Sequence, residues 1–348
     1  MGDVMPVSGV IGLDIGGANL KVATAEGQCR SKSFAIWRAP ERLVEELAGV
    51  MQELAPWSKI AVTMTAELAD CFESKADGVR QVLESVRQVA GRVPVIVWQT
   101  SGRFVSLDEA MESPALTAAG NWHAQATFLG RQVPAGSALL IDTGSTTTDI
   151  IPFLNGQPVM RGLTDQDRLT CGELVYSGIR RTPLCALAPS VPVRGVAQRI
   201  AAELFSTTFD LHLLLGNIEE SETDLETADG RPATIRAAHN RIAHQLCRDR
   251  TELTLDEAVE VARWLSAVQR RQICLAIDQV LRSLPQACES LLISGSGCFL
   301  IEQIADGHPF LRGLRRIRIG ELLSDAVSEA ACAFAVACLA TESCQRAE

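Results

Sequence analysis

Two nine-residue segments constrain this chain more than anything else in it. Residues 14–22 read Asp-Ile-Gly-Gly-Ala-Asn-Leu-Lys-Val and residues 142–150 read Asp-Thr-Gly-Ser-Thr-Thr-Thr-Asp-Ile, and the two align without a gap. Each follows an apolar run (8–15 and 138–141) that ends on a carboxylate, Asp14 or Asp142. Each then turns on small residues and returns as a second run, which is a hairpin signal. A self-similar element that recurs once in a chain of 348 residues predicts two lobes of similar topology rather than a solenoid.

The rest of the chain alternates strand and helix patterns. Helical spacing covers 40–54 and 78–89, and strands are expected at 59–64 and 93–98. A second part begins near Pro134, with strands at 138–141 and 147–153. A Gly/Pro-rich connection (178–196), a helix (201–215), an acidic loop (219–232), a long helix (254–284), a strand (291–293) and terminal helices follow. Such alternation predicts an α/β fold in which mixed or parallel sheets are covered by helices. The expected divisions are a first lobe over 1–134, a second over 135–322 and a C-terminal helix over 323–348. The alanine-rich run 330–340 either packs back on the first lobe or forms a homodimer seam.

The two turns are suited to phosphate. Gly16, Gly17 and Gly144 leave backbone N–H groups unobstructed, and concave arrays of amides bind anions. Asn19, Ser145, Thr146 and Thr147 add side-chain donors. Asp14 and Asp142 sit at strand ends flanking an expected cleft, and Mg²⁺ is commonly held by one or two carboxylates plus substrate phosphate. Seven positions after each of these aspartates the copies differ in sign, Lys21 in one and Asp149 in the other. A lysine neutralises diphosphate, whereas an aspartate takes a proton or holds metal-bound water. Only four lysines occur, at 21, 32, 59 and 75, so one beside a glycine turn is not surface decoration.

Composition narrows the partners. A formal charge of −10 argues against nucleic-acid binding, which calls for a basic stripe. The eleven cysteines are odd in number and form no C-x-x-C pair, so reduced, mostly buried thiols in a cytoplasmic protein are expected. The amino terminus has no basic segment of a signal peptide, and no apolar run is long enough to span a bilayer. His239 and His244 are five apart and do not share a helix face, so they are not read as metal ligands. The acidic run 219–226 reads as a solvated loop.

Taken together, Asp14-Ile-Gly-Gly, Asp142 to Asp149 and the loop Gly295-Ser296-Gly297 resemble the phosphate-1, phosphate-2 and adenosine motifs of the actin, heat-shock chaperone and sugar-kinase superfamily. The second motif is most similar to the hydantoinase/oxoprolinase branch. Four segments, 12–21, 142–150, 172–178 with 181–183, and 227–232, resemble a smaller family found in methanogens and in methylotrophs that use tetrahydromethanopterin. Its methanogen members build the furan–tyramine ether of methanofuran, and the likeness covers almost the whole chain.

The resemblance implies a two-lobed actin-like (ribonuclease H-like) ATPase fold with an interlobe cleft. It also implies alkyl transfer, in which an (aminomethyl)furan-methyl diphosphate loses diphosphate to the phenol oxygen of a tyramine or tyrosine derivative. On that reading Lys21 and the turn amides receive diphosphate, Asp14 and Asp142 hold Mg²⁺, and Asp149, or Glu173 after it, takes the phenol proton. Arg181 would bind a substrate carboxylate, and Asp229 or Arg231 would close the aminomethyl end. The rival readings are an ATP-dependent hydantoinase/oxoprolinase-like hydrolase or small-molecule kinase, and a non-catalytic nucleotide-binding switch.

Overall fold

The computed structural model describes residues 9–345, apart from the side chain of Asp325. The start of the expected first strand, and the amino-terminal residues read against a signal peptide, lie outside the described residues. Two compact units account for the rest. One comprises the chain up to Ala138, residues 151–168 and the chain from Ile317; the other comprises Leu139–Ile150 and Leu169–Arg316.

In the first unit, six strands, β1 (Val10–Gly16), β2 (Asn19–Thr24), β3 (Cys29–Ser33), β4 (Lys59–Thr65), β5 (Val95–Trp98) and β6 (Phe104–Ser106), form one sheet in the order β3-β2-β1-β4-β5-β6. β1, β2 and β3 run antiparallel, β4 is parallel to β1, and β5 is parallel to β4. The period-two pattern of β1 explains its two faces. Ile11, Leu13 and Ile15 enter a core with Leu43, Leu47, Val79, Val82 and Leu83 from the helices Leu43–Gln52 and Lys75–Ala90. Gly12, Asp14 and Gly16 occupy the other face.

The helix Ala331–Gln345 lies on that second face. A Cβ on Gly12 would fall 2.0 Å from the Ala333 carbonyl oxygen and 2.9 Å from the Ala337 nitrogen. The glycine on one side and the alanine-rich helix on the other allow the two backbones to meet. Ala61, Trp98, Ala124, Val336, Leu339 and Ala340 complete this layer.

Later strands are β7 (Ser137–Thr143), β8 (Thr148–Leu154), β9 (Gln157–Pro158), β10 (Leu174–Val175), the hairpin pair β11 (Ser190–Val193) and β12 (Val196–Arg199), β13 (Ser290–Ser294) and β14 (Arg315–Arg318). A second sheet has the order β10-β8-β7-β13-β14, with β9 on β8. Leu139, Ile141, Ile150, Leu291 and Ile293 from its strands pack with Ile273 and Ile277 of the helix Leu255–Leu281 and with Leu300 and Ile301. The N-terminal half of that helix joins a separate apolar cluster with Leu211, Leu213, Ile242 and Leu253. Its start is set by a capping box, Thr254 and Glu257 each bonding the other's backbone N–H.

Several expectations change. The helix placed at 201–215 is confined to Thr208–Leu214, because Thr207 caps it in a second capping box with Asp210. The hairpin β11–β12 begins inside the stretch read as a connection and runs three residues past it, and the helix Ile235–Gln245 was not anticipated. All eleven cysteines are free, but only Cys29 and Cys171 are buried; Cys247 is exposed and the others are half-buried. The expectation of mostly buried thiols therefore fails. Among the described residues no helix is long and apolar enough to cross a membrane.

The Gly12 contact yields a stability test. Gly12→Ala is expected to destabilise the protein by about 3 kcal/mol, because the added methyl group overlaps backbone that cannot move independently. Chemical denaturation checks this, and an unchanged midpoint would show that the terminal helix does not rest on β1 as described.

Candidate functional site

The first turn joins β1 to β2. The Gly17 carbonyl accepts from the Ile36 N–H at 3.0 Å and the Ala18 carbonyl from the Phe34 N–H at 2.9 Å. In a trans peptide N–H and C=O point opposite ways, so the Ala18 N–H is directed away from this segment. A side chain at position 17 would meet no atom within 4 Å, whereas one at 16 would lie 3.1 Å from the Asn19 carbonyl oxygen and 3.6 Å from Thr65 Oγ1. Gly17 is thus the open position and Gly16 the packed one.

Asp14 and Lys21 are directly opposed across the β1–β2 ladder. Asp14 is buried, and desolvation raises its pKa from 3.8 to about 6 despite the counteracting Lys21 charge. Its Oδ1 is buried with no hydrogen-bond partner. Lys21 Nζ donates to the Glu329 carbonyl oxygen at 2.7 Å, which holds the ammonium beside the strand. On the neighbouring parallel strand, Thr63 pairs with Asp14, and its hydroxyl is likewise buried and unpartnered.

The second turn is held more tightly. The Gly144 N–H donates to the Thr147 carbonyl at 2.9 Å. The Thr143, Gly144 and Ser145 carbonyls accept from the N–H groups of Gly297, Ile179 and both Arg180 and Arg181, respectively. With these carbonyls committed, the N–H groups of Ser145 and Thr146 point the other way. The Ser145 and Thr146 hydroxyls lie 3.4 Å apart, and Thr148 Oγ1 donates to the Ser177 carbonyl at 2.8 Å. Thr147 remains half-buried at the tip.

Glycine is demanded around this turn. A Cβ on Gly178 would sit 2.5 Å from both the Gly144 oxygen and the Thr146 nitrogen. One on Gly295, whose φ is +86°, would sit 2.3 Å from the Thr143 oxygen and 2.5 Å from Asp142 Oδ1, and one on Gly297 would strike the Thr143 side chain. The Gly295-Ser296-Gly297 loop is therefore laid on Asp142 and Thr143, with Ser296 exposed.

Asp149 is half-buried on β8 and opposes Leu174 of β10, one residue beyond Glu173. Glu173 is buried, and its carbonyl accepts from the Ile150 N–H at 2.9 Å. Of the two carboxylates read as alternative bases, Asp149 thus lies on β8 and Glu173 immediately precedes the adjoining β10.

The remaining substrate-contact residues lie further along the second unit. Arg181 is exposed beside the second turn, while its neighbour Arg180 stacks 3.9 Å over the Phe209 ring and pairs with Asp224 at 2.7 Å. Asp229 accepts from Arg241 Nη1 at 3.0 Å and from the Arg231 N–H at 3.1 Å. Burial pushes the Asp229 carboxyl up, but these donors outweigh it and hold it below the usual range. Its carboxylate is therefore already engaged, and Arg231 is exposed, its side chain 3.9 Å from Asp229. Arg241 itself is fully buried and also pairs with Asp210 at 2.7 Å. Nothing at position 241 in the sequence advertises that role.

Glu67 is the functional candidate that sequence reasoning missed. It lies two residues beyond β4, its carboxyl is buried, and its Oε2 has no hydrogen-bond partner. Desolvation raises its pKa from 4.5 to about 7, with Asp165 adding to the rise and the Ala119 N–H and Lys75 opposing it. The signal was available, since a carboxylate directly after an apolar strand is what drew attention to Asp14. Among the described residues no group of three or more His, Cys, Asp or Glu side chains gathers as a metal centre. His239 is committed to the Leu253 carbonyl at 2.7 Å.

Comparison with known proteins places these features in context. The model of the hydantoinase/oxoprolinase family matches residues 59–341. The chain is 32% identical over 331 residues, 94% of this chain and 96% of the other, to the (4-{4-[2-(gamma-L-glutamylamino)ethyl]phenoxymethyl}furan-2-yl)methanamine synthase of Methanocaldococcus jannaschii. A protein of the same name from Methanococcus vannielii is 37% identical over 126 residues, 36% of this chain and 56% of that one. Among solved structures, nucleotide-free acetone carboxylase is similar at a TM-score of 0.52 and 12% identity, over 94% of this chain and 70% of that one. The α/β fold is the actin-like one, with two sheets each containing a glycine-turned hairpin.

Glu67 carries a pH-dependent stability test. Its folded pKa lies above the unfolded value, so it lowers stability as pH rises from about 4.5 to 7 and has no effect below that window. Glu67→Gln removes the charge, so its thermal midpoint should match wild type at pH 4 and exceed it at pH 8. The upper limit of the gain is about 3 kcal/mol. A difference that does not vary with pH would show that the Glu67 carboxyl titrates normally.

Proposed function

This chain belongs to the hydantoinase/oxoprolinase family, and on that premise we propose that it is an alkyltransferase that makes an aryl furfuryl ether. The observation that carries the reading is the likeness, along almost the whole chain, to a synthase whose named product contains a phenoxymethyl-furan bearing an aminomethyl group. The donor is an (aminomethyl)furan-methyl diphosphate, and the acceptor is the phenol of a tyramine or tyrosine derivative. The product serves tetrahydromethanopterin-linked one-carbon metabolism, as a methanofuran or methylofuran precursor.

In the reaction a bond forms between the phenol oxygen and the furfuryl carbon. The carbon–oxygen bond to diphosphate breaks, its electron pair leaves with diphosphate, and the phenol proton passes to a base. The furfuryl carbon tolerates positive charge, so stabilising the leaving group is the larger task. Backbone N–H groups of the glycine turns and the Lys21 ammonium serve it. Mg²⁺, when bound, would add positive charge at the diphosphate, and Asp14, with its unpartnered buried Oδ1, and Asp142 are the residues suited to hold it. Asp149 takes the phenol proton, with Glu173, just before the adjoining strand, as the alternative. Arg181, exposed beside the second turn, is assigned to a substrate carboxylate group.

The family match also favours a second reading, an ATP-dependent ring-opening hydrolase, because hydantoinase/oxoprolinase is the name of the matching model. Calorimetric titration separates the two. With Mg²⁺ present, the furan diphosphate is expected to bind at least tenfold more tightly than ATP; the reverse order would favour the hydrolase. Asp149→Asn is expected to lower kcat by about 10²-fold or more, the size of a lost general base, while diphosphate affinity stays within a few-fold. Loss of binding together with turnover would make Asp149 a ligand or structural residue instead.

A further inference from the structure

Glu67 has no part in the reaction as set out above, yet it is built like a binding group. Gly16 of the first turn pairs with Thr65 at the end of β4, and Glu67 follows two residues later. Glu67 thus follows the carboxyl end of β4, the strand parallel to the one that ends in the glycine turn. Only 2% of the residue is exposed. The backbone groups of Glu67 itself and of Ala119 favour the charged carboxyl, but Oε2 receives no hydrogen bond. No ion pair among the described residues includes Glu67, and the charged groups that face it are Asp165 and Lys75.

The Ala119 donor is itself held in place at a cost. Ala119 has φ of +48°, a left-handed conformation that an alanine adopts only when its surroundings require it. Three residues on, Trp122 lies under the Arg168 guanidinium, 3.8 Å from the ring centroid, and its Nε1 is buried without a partner. A buried acceptor and a buried donor are therefore both unsatisfied around one strained turn. Buried polar groups are normally paired, and each exception calls for a missing partner.

We propose that Glu67 is the carboxylate that binds the primary ammonium of the substrate's aminomethyl arm. This rests on the ether-synthase reading. An ammonium beside a furan ring oxygen offers a cation to Glu67 Oε2 and an acceptor to Trp122 Nε1. The alternative use of Glu67, as the base for the phenol proton, fits its position less well. The acceptor oxygen attacks the furfuryl carbon from the side opposite the departing diphosphate, whereas Glu67 follows the strand end that pairs with the glycine turn assigned to that diphosphate.

The test compares the aminomethyl furan diphosphate with an analogue carrying methyl in place of aminomethyl. Wild-type protein is expected to prefer the amine by tenfold or more in KM. Glu67→Gln should raise KM for the amine by tenfold or more, change kcat by less than threefold and leave the methyl analogue unaffected, so that the preference disappears. Equal use of both compounds by wild type, which needs no variant, overturns the proposal, as does a preference that survives in Glu67→Gln. A large fall in kcat at unchanged KM also overturns it, and would make Glu67 a base. If wild type forms no ether at all, the synthase reading fails on its own account. Calorimetry with the same two diphosphates then decides Glu67: an amine preference lost in the variant supports it, and none in wild type refutes it.

Discussion

Backbone laid directly on backbone sets the position of everything else in this protein. At the second turn no side chain can intervene between Gly178 and residues 144–146, or between Gly295 and Thr143. Those contacts turn the carbonyls of 143–145 into their neighbours and leave amides facing outward. Gly12 plays the matching part in the first unit, where the terminal helix rests on β1 at atomic contact. Because these contacts involve main chain on both sides, they tolerate no compensating rotamer, and the turns they support are rigid before any ligand arrives.

Against that scaffold the carboxyls that lie wholly or partly out of solvent fall into two kinds. Asp210 and Asp229 meet Arg241, and Asp224 meets Arg180, so their charge is balanced within the protein. These pairs fasten the 224–232 loop and the cap of the helix Thr208–Leu214. Asp14 and Glu67 differ in that each retains an oxygen with no hydrogen-bond partner; burial raises their pKa values, as it does that of the paired Asp210. Folding alone gains nothing from such groups, since an unpaired buried carboxylate is unfavourable. Their retention is understandable if cations, one from a metal and one from a substrate amine, complete them.

What could be read from sequence followed the range of the physics involved. The hairpins of residues 14–22 and 142–150 depend on local turn chemistry and alternation, and both strands and turns lie where those signals place them. The helix Leu255–Leu281 was legible for the same reason, since its pattern and Thr254 cap are contained within it. Asp229 illustrates the limit. As part of a recognisable motif it suggests substrate contact, but its partner Arg241 lies on a helix whose pattern gives no hint of a buried charge. Glu67 was overlooked because its meaning comes from burial and from the Ala119 N–H, 52 positions away and held by a strained backbone. The close approaches at Gly178 and Gly295 equally join segments far apart in sequence, so only the fold shows why glycine stands there.

The central claim is that phenol oxygen displaces diphosphate from a furfuryl carbon. It is tested most directly with a phenolic acceptor labelled with ¹⁸O in its hydroxyl, the unlabelled (aminomethyl)furan-methyl diphosphate, Mg²⁺ and no nucleotide. Mass spectrometry of the products is expected to find the label wholly in the ether, with one unlabelled diphosphate released per ether formed. An ether that lacks the label, or one that forms only when ATP is added and consumed, would contradict the account.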